Sequence, residues 1–144
     1  MSGAALLCVV VAIADGDTLT ARCEAKDSPQ TIVVRLSQID APEKRQPRGD
    51  RSRQHLAALC FGKLAAVREE ARDRYSRTVA QVVCDGTDAN AEQVRAGMAW
   101  VFDRYATDRS LYALQTEARD TKRGLWADAA PVPPWEWRRA ATTP

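Results

Sequence analysis

The segment LLCVVVAIADGDTLTARC, residues 6–23, has the composition of a β-hairpin. Residues 6–13 and 18–23 are rich in β-branched and other apolar side chains, which favour extended backbone. Asp15-Gly16 lies between them, and Asp-Gly flanked by apolar runs is a strong signal for a two-residue hairpin turn. The segment therefore predicts two antiparallel strands at the start of the chain.

The four cysteines lie at positions 8, 23, 60 and 84 and leave two redox states open. They could be reduced core thiols, or they could form two disulfides in an oxidising compartment. A hairpin centred on Asp15-Gly16 places Cys8 opposite Cys23, at a separation that a disulfide can span. The pair Cys60–Cys84 then follows by elimination. We predict both disulfides, and with them a protein that is secreted or periplasmic.

The apolar run at residues 4–14 has two interpretations, a signal peptide or a buried strand. A signal peptide normally begins with basic residues, and Met1-Ser2-Gly3 contains none. We therefore favour the strand and expect the natural leader to be absent from this chain. No stretch is long enough to span a membrane, so no membrane partner is expected.

The rest of the chain predicts three more strands, three helices and a tail. Five short strands with interspersed helices are typical of a β-barrel with helices (α+β), specifically a five-stranded OB-fold barrel with three α-helices. We assign residues 5–127 to this domain and residues 128–144 to an irregular C-terminal tail that contains proline and tryptophan. The additional strands are predicted at 31–39, 64–67 and 78–83, and the helices at 50–62, 90–97 and 110–123.

Capping residues set the predicted helix boundaries. Asp50 is placed at the N-cap of the first helix, which Gly62 ends. Asn90 is placed at the N-cap of the second helix, with Gln93 at the capping-box position. His55 lies on the first helix as the only histidine of the chain, and we predict a structural role for it rather than a zinc site. Trp126, Trp135 and Trp137 could stack on bases, but we expect them to anchor the tail.

Three clusters of polar residues could carry chemistry: DGDT at 15–18, RLSQIDAPE at 35–43 and DRYSR at 73–77. Taken alone, the first is a common turn sequence, and the acids of the second could simply be solvated loop residues. Arg35 is harder to explain in this way, because an arginine within a β-branched run needs a partner or a ligand.

Taken together, the three clusters contain what phosphodiester hydrolysis requires. Asp17 and Asp40 offer hard oxygen ligands for Ca²⁺ or Mg²⁺. Glu43 can accept a proton from water as a general base. Arg35 and Arg77 can bind phosphate oxygens and stabilise the growing negative charge.

The charge distribution is consistent with a phosphate-containing substrate. The formal net charge is only +2, so the overall balance does not indicate a polyanionic ligand. A basic patch nevertheless follows Asp40. It could steer phosphates or could be no more than a solvated face. The patch consists of Lys44, Arg45, Arg48, Arg51 and Arg53.

From residue 8 to residue 126 the chain resembles the staphylococcal nuclease-like domains, in their bacterial secreted form. The resemblance rests on the three motifs above, on the helix at 90–97 and on GLW at 124–126, in matching order and spacing. It implies an OB barrel with three helices and Ca²⁺-dependent hydrolysis of DNA and RNA, carried out by a monomer. The alternative is a catalytically silent module on the same fold that binds nucleic acid or protein.

The resemblance also implies a role for each site residue. Asp17, Asp40 and the backbone carbonyl of Ala41 would hold the metal, and Glu43 would act as the base. The residues expected to bind substrate are Arg35, Arg77, Tyr75 and Tyr105. The chain departs from the family pattern at Ser76, where glycine is usual, and at Asp103, where a tyrosine is expected.

Overall fold

The computed structural model describes residues 4–24 and 28–142. Residues 1–3, 25–27 and 143–144 lie outside the described residues, and so do the expectations that concern them. The strands are β1 (Leu6–Asp15), β2 (Thr18–Cys23), β3 (Gln30–Leu36), β4 (Ile39–Asp40), β5 (Leu64–Arg72), β6 (Thr78–Cys84), β7 (Thr87–Asp88) and β8 (Trp100–Val101). The helices are α1 (Gly49–Cys60), α2 (Ala89–Arg95), α3 (Ser110–Asp120) and α4 (Pro134–Thr142), with a 3₁₀ turn at Gly124–Ala127.

The predicted five-stranded barrel is confirmed. Strands β3, β2, β1, β5 and β6 pair in that order, and each of these neighbours is antiparallel. A parallel pairing between β3 and β6, from Val34–Thr78 to Leu36–Ala80, closes the sheet on itself. Alternate side chains point inward, so Val10, Leu19, Val34 and Val82 are almost completely buried. Burying each such side chain stabilises the fold by about 1.5–3 kcal/mol.

The predicted hairpin forms, but its turn lies one residue later than expected. Asp15 pairs with Thr18, so Gly16-Asp17 is the turn in place of Asp15-Gly16. Two register shifts within β1 offset this difference and leave Cys8 opposite Cys23, as predicted. β-Bulges of this kind bend a strand and increase its twist, which a small closed barrel requires.

The predicted third strand, residues 31–39, is interrupted in the structure. β3 ends at Leu36, and Gln38 adopts the left-handed region with φ of 68°. The chain then forms the short strand β4, which pairs antiparallel with β8 through Ile39–Val101 and Asp40–Trp100. The interruption matters for the site, because it places Asp40 in a separate two-stranded sheet and not in the sheet of the barrel.

Two of the predicted helix caps are wrong. The N-cap of α1 is Arg48, with φ of 71°, and Asp50 lies in the first turn of the helix. The N-cap of α2 is Asp88, whose carboxylate accepts a hydrogen bond from the Ala91 backbone N–H at 3.0 Å. Helix α3 begins where predicted but ends at Asp120.

The side chains of Asn90 and Gln93 bond to buried backbone groups of the barrel and do not cap a helix. The Asn90 side chain accepts a hydrogen bond from the Val82 N–H at 3.0 Å and donates to the Ser37 carbonyl at 3.0 Å. The Gln93 amide donates to the Gly16 carbonyl at 2.7 Å. Both side chains are buried, so these bonds satisfy barrel groups that could not otherwise reach water.

The tail is not irregular as predicted, because residues Pro134–Thr142 form helix α4. Proline is favoured in the first turn of a helix, where its fixed φ fits and its missing N–H costs nothing. Trp135 stacks on Phe102 with ring centroids 5.4 Å apart and meets Trp100 edge-on at 5.7 Å. The expected anchoring role of Trp135 is therefore confirmed. None of the helices in the described residues is long and apolar enough to cross a membrane.

Both predicted disulfides, Cys8–Cys23 and Cys60–Cys84, are present, and no cysteine is free. The first ties β1 to β2, and the second ties the end of α1 to the end of β6. Crosslinks of this loop length stabilise a domain by about 3 kcal/mol, mainly by restricting the unfolded chain.

We expect none of the four cysteines to react when the unreduced, denatured protein is alkylated and analysed by mass spectrometry. The Cys60→Ala/Cys84→Ala double variant should lose about 3 kcal/mol of unfolding free energy in urea titrations. Wild-type protein assayed with and without reductant serves as the control. Four alkylated cysteines in the unreduced protein would contradict the pairing.

Candidate active site

Two of the three predicted motifs, DGDT and RLSQIDAPE, meet where the β1–β2 turn lies against the ends of β3 and β4. The Leu36 N–H donates to the Asp17 carbonyl at 2.8 Å and so joins the turn to the end of β3. Gly16 permits helix α1 to pack on this turn, because a Cβ there would lie 1.7 Å from Ser52 Oγ. The sequence DGDT therefore needs glycine at this position for close packing.

Arg35 joins the two predicted metal ligands. Its Nη2 lies 3.5 Å from Asp17 Oδ2 and 3.2 Å from Asp40 Oδ1. Its Nη1 donates to the carbonyls of Leu36 and Ile39 at 2.7 and 2.9 Å. The expectation that this arginine needs partners is confirmed, and its hydrogen bonds fix the guanidinium between the two acids.

Asp17 is held in place by a second set of hydrogen bonds. Its Oδ1 accepts a hydrogen bond from the Thr18 hydroxyl, and its Oδ2 accepts one from the Ala41 backbone N–H, both at 2.8 Å. The structure therefore connects Ala41 to the site through its amide group. Its carbonyl as a metal ligand stays a prediction.

Arg138, from helix α4, also enters this cluster. Its Nη2 donates to Asp40 Oδ2 at 2.6 Å, and its Nη1 donates to Asp40 Oδ1 at 3.2 Å and to Glu43 Oε1 at 2.6 Å. Sequence analysis missed this residue, because Arg138 lies 98 positions from Asp40 in the chain. No motif marks Arg138, and only the folded tail brings it to the acids.

The cluster concentrates negative charge in a poorly solvated place. Burial raises the pKa of Asp40, and the nearby charge of Asp17 adds to this rise against the opposing effect of Arg138 and Arg35. Burial also raises the pKa of Asp15, with further contributions from Asp17 and Glu43. Carboxylates whose charge is disfavoured in this way are stabilised by a nearby cation.

The donor set fits a hard divalent cation that is only partly enclosed by protein. Arg35 Nη2 contacts both Asp17 and Asp40, so the two carboxylates lie close together, on either side of this nitrogen. Among residues 4–24 and 28–142 there is no metal-binding arrangement of three or more His, Cys, Asp or Glu side chains. Two carboxylates and a backbone carbonyl would therefore leave ligand positions for water and substrate oxygen.

Arg77 belongs to a second group, at the entrance to the strand next to that of Arg35. The β3–β6 pairing aligns Arg35 with Val79, so Arg77 lies just before β6 on the neighbouring strand. Its Nε donates to Asp73 Oδ2 at 2.7 Å, and the Tyr75 ring lies 5.6 Å from its guanidinium carbon. In the structure, then, Arg77 and Tyr75 neighbour each other, while the ion pair of Arg77 is with Asp73.

Ser76 stands where the resemblance predicts glycine, and its backbone conformation is one that glycine adopts readily. Its φ is 63°, in the left-handed region, where a residue with a Cβ is disfavoured by about 1–2 kcal/mol. Asp73 holds the loop in this shape, since its Oδ1 accepts hydrogen bonds from the N–H groups of Tyr75 and Arg77 at 2.9 and 3.0 Å. Serine is therefore accommodated in the left-handed conformation within a loop that Asp73 holds.

Tyr105 belongs to a third, aromatic group beside α4. Its ring meets Phe102 edge-on at 5.1 Å. Asp103, the departure from the family pattern, accepts a hydrogen bond from the Tyr112 hydroxyl at 2.6 Å. A cleft of about 430 Å³ lies here, and it is lined by Phe102, Asp103, Arg104, Trp135, Arg138 and Arg139.

The remaining candidate residues have mainly structural contacts. His55 is hydrogen-bonded through its Nδ1 to the Gln93 side chain. Trp126 packs on Trp100 with ring centroids 4.4 Å apart. Within the basic patch, Arg48 forms two hydrogen bonds of 2.9 Å with the Asp128 carboxylate, whereas Lys44, Arg45 and Arg51 are exposed.

Comparison with known proteins shows which sequences this chain resembles. The sequence pattern of the staphylococcal nuclease homologue family matches residues 33–128. An uncharacterized endonuclease of Escherichia coli is 49% identical over 130 residues, which cover 90% of this chain and 82% of the relative. A micrococcal nuclease of Shigella flexneri is 42% identical over 143 residues, with 92% of this chain and 80% of the relative covered. An uncharacterized endonuclease of Haemophilus influenzae is 42% identical over 132 residues, with 92% and 72% covered.

Proposed function

The chain belongs to the staphylococcal nuclease family, and on that basis we propose that it is an endonuclease that uses Ca²⁺ to hydrolyse phosphodiester bonds of DNA and RNA. One observation carries this proposal: Arg35 holds the carboxylates of Asp17 and Asp40 together beside the loop that carries Glu43. The relatives named endonuclease or micrococcal nuclease support the same reaction class.

Each charged residue has a role in the proposed reaction. Asp17, Asp40 and the Ala41 carbonyl would hold Ca²⁺, which when bound supplies positive charge next to the phosphoryl oxygens. Glu43 accepts the proton of the attacking water. Arg35 and Arg77 donate hydrogen bonds to the phosphoryl oxygens and stabilise their negative charge in the transition state.

Two exposed tyrosines could contact the substrate. Tyr75, beside Arg77, and Tyr105, beside the cleft, are largely exposed and would contact the nucleotides that flank the scissile bond.

We propose that residues 5–127 form the catalytic domain and that the protein acts as a monomer. The two disulfides support an oxidising location, so we place the protein in the periplasm or outside the cell.

We expect purified protein to cut both circular plasmid DNA and RNA in Ca²⁺ and to cut neither in EGTA. A circular plasmid has no ends, so its cleavage reports endonuclease action. Glu43→Gln protein, which keeps the size of the side chain but cannot act as a base, is the control for a contaminating nuclease. Cleavage that persists in EGTA would contradict the Ca²⁺ requirement. Binding of nucleic acid with no cleavage in Ca²⁺ would indicate a catalytically silent module instead.

A further inference from the structure

Helix α4 places a positive charge on the carboxylates to which we assign the metal. Arg138 contacts both oxygens of Asp40 and one oxygen of Glu43, at 2.6–3.2 Å. Asp40 Oδ1 also accepts a hydrogen bond from Arg35. Asp40 is only 1% exposed, so solvent screens these contacts weakly. In this structure the acids of the site are thus neutralised by arginines.

A divalent cation and the Arg138 guanidinium exclude each other at this place. Arginine remains protonated in proteins, and its charge would lie within a few ångströms of a cation bound to Asp40. Both would also use the same lone pairs of the Asp40 carboxylate. Arg138 must therefore leave Asp40, at least in part, before the cation can bind there.

The attachment of α4 is compatible with such a movement. The helix has nine residues, its described buried residue is Pro134, and Arg138 retains 42% side-chain exposure. Its inner face rests on the aromatic contacts of Trp135 with Phe102 and Trp100. Short elements with few buried apolar contacts open at low free energy. The helix also lies beyond residues 33–128, which match the family pattern.

We propose that Arg138 is an internal competitor of the divalent cation, so that helix α4 holds the metal-free enzyme in a resting state until the cation displaces the guanidinium. This inference rests on the proposed Ca²⁺ site and adds a regulatory element to it. We call helix α4, with the contacts of Arg138 to Asp40 and Glu43, a latch, because these contacts lower the affinity of the site for the metal ion.

Calorimetry with Ca²⁺ alone tests the latch without any measurement of activity. The Arg138→Gln replacement removes the charge but keeps a long polar side chain on the helix. It should lower the dissociation constant for Ca²⁺ about tenfold. Arg22→Gln makes the same replacement at an exposed position of β2 and is the control, with the wild-type constant expected. Arg138→Lys keeps the charge without the two-pronged geometry, and its dissociation constant should fall between those of Arg138→Gln and the wild type.

Hydrogen exchange provides a second measurement. In the wild-type protein, saturating Ca²⁺ should speed amide exchange in Pro134–Thr142, whereas the Arg138→Gln variant should exchange fast in this helix with or without Ca²⁺. The latch is wrong if Arg138→Gln binds Ca²⁺ no more tightly than the wild type does. If neither protein binds Ca²⁺ at millimolar concentration, the cation site itself is wrong and the latch with it.

Discussion

Replacing Arg77 with alanine should lower the rate of phosphodiester cleavage by about 10²–10³-fold and leave the fold intact. In the proposed reaction Arg77 stabilises charge that develops on the phosphoryl oxygens, and the loss of one such preorganised donor typically costs this factor. The loop should survive, because Asp73 still accepts hydrogen bonds from the backbone N–H groups of residues 75 and 77. The Arg77 side chain is also 34% exposed, so its removal opens no large cavity.

The measurement is the initial rate of cleavage of a short labelled DNA in saturating Ca²⁺, accompanied by a urea unfolding curve. Arg72→Ala is the control, since Arg72 is an exposed arginine on a neighbouring strand that also pairs with a nearby acid, Glu69 at 2.7 Å. It should retain the wild-type rate. Cleavage by Arg77→Ala at the rate of this control would remove Arg77 from the phosphate-binding role.

The barrel was predictable from sequence because its signals are local. Each strand is a short apolar run bounded by turn residues, and the hairpin around DGDT also set the opposition of Cys8 and Cys23. The position of the turn itself was wrong by one residue. Two bulges in β1 compensated for the difference, and bulges arise from the curvature of the closed barrel, which no local pattern of residues records.

The parts that sequence reasoning missed depend on distant contacts. Asn90 has the chemistry of a helix cap, yet it bonds to Val82 and Ser37 because those buried backbone groups have no access to water. Helix α4 was missed because its prolines suggested an irregular tail, while the aromatic surface that supports it is formed by Trp100 and Phe102. Arg138 reached the site only through that packing.

The second large effect is expected at Arg35, where loss of the side chain should impair both folding and catalysis. Arg35→Met removes the guanidinium from between Asp17 and Asp40 and leaves two buried carboxylates facing each other. It also leaves the carbonyls of Leu36 and Ile39 without their hydrogen-bond donor. Breaking a buried ion pair by removing one partner typically costs about 3–5 kcal/mol. We expect about 3 kcal/mol here, because Arg138 still neutralises part of the Asp40 charge.

Unfolding and cleavage measured on the same preparation separate these two effects. Arg35→Met should unfold at lower urea, and under conditions where it is fully folded it should still cleave at least about 10²-fold more slowly than the wild type. Arg22→Met makes the same replacement at an exposed position of β2 and should change neither value by much. Arg35 alone bridges Asp17 and Asp40. Arg35→Met should therefore have a lower free energy of unfolding than Arg77→Ala. Equal unfolding free energies for these two variants would show that the bridge between Asp17 and Asp40 does not stabilise the fold.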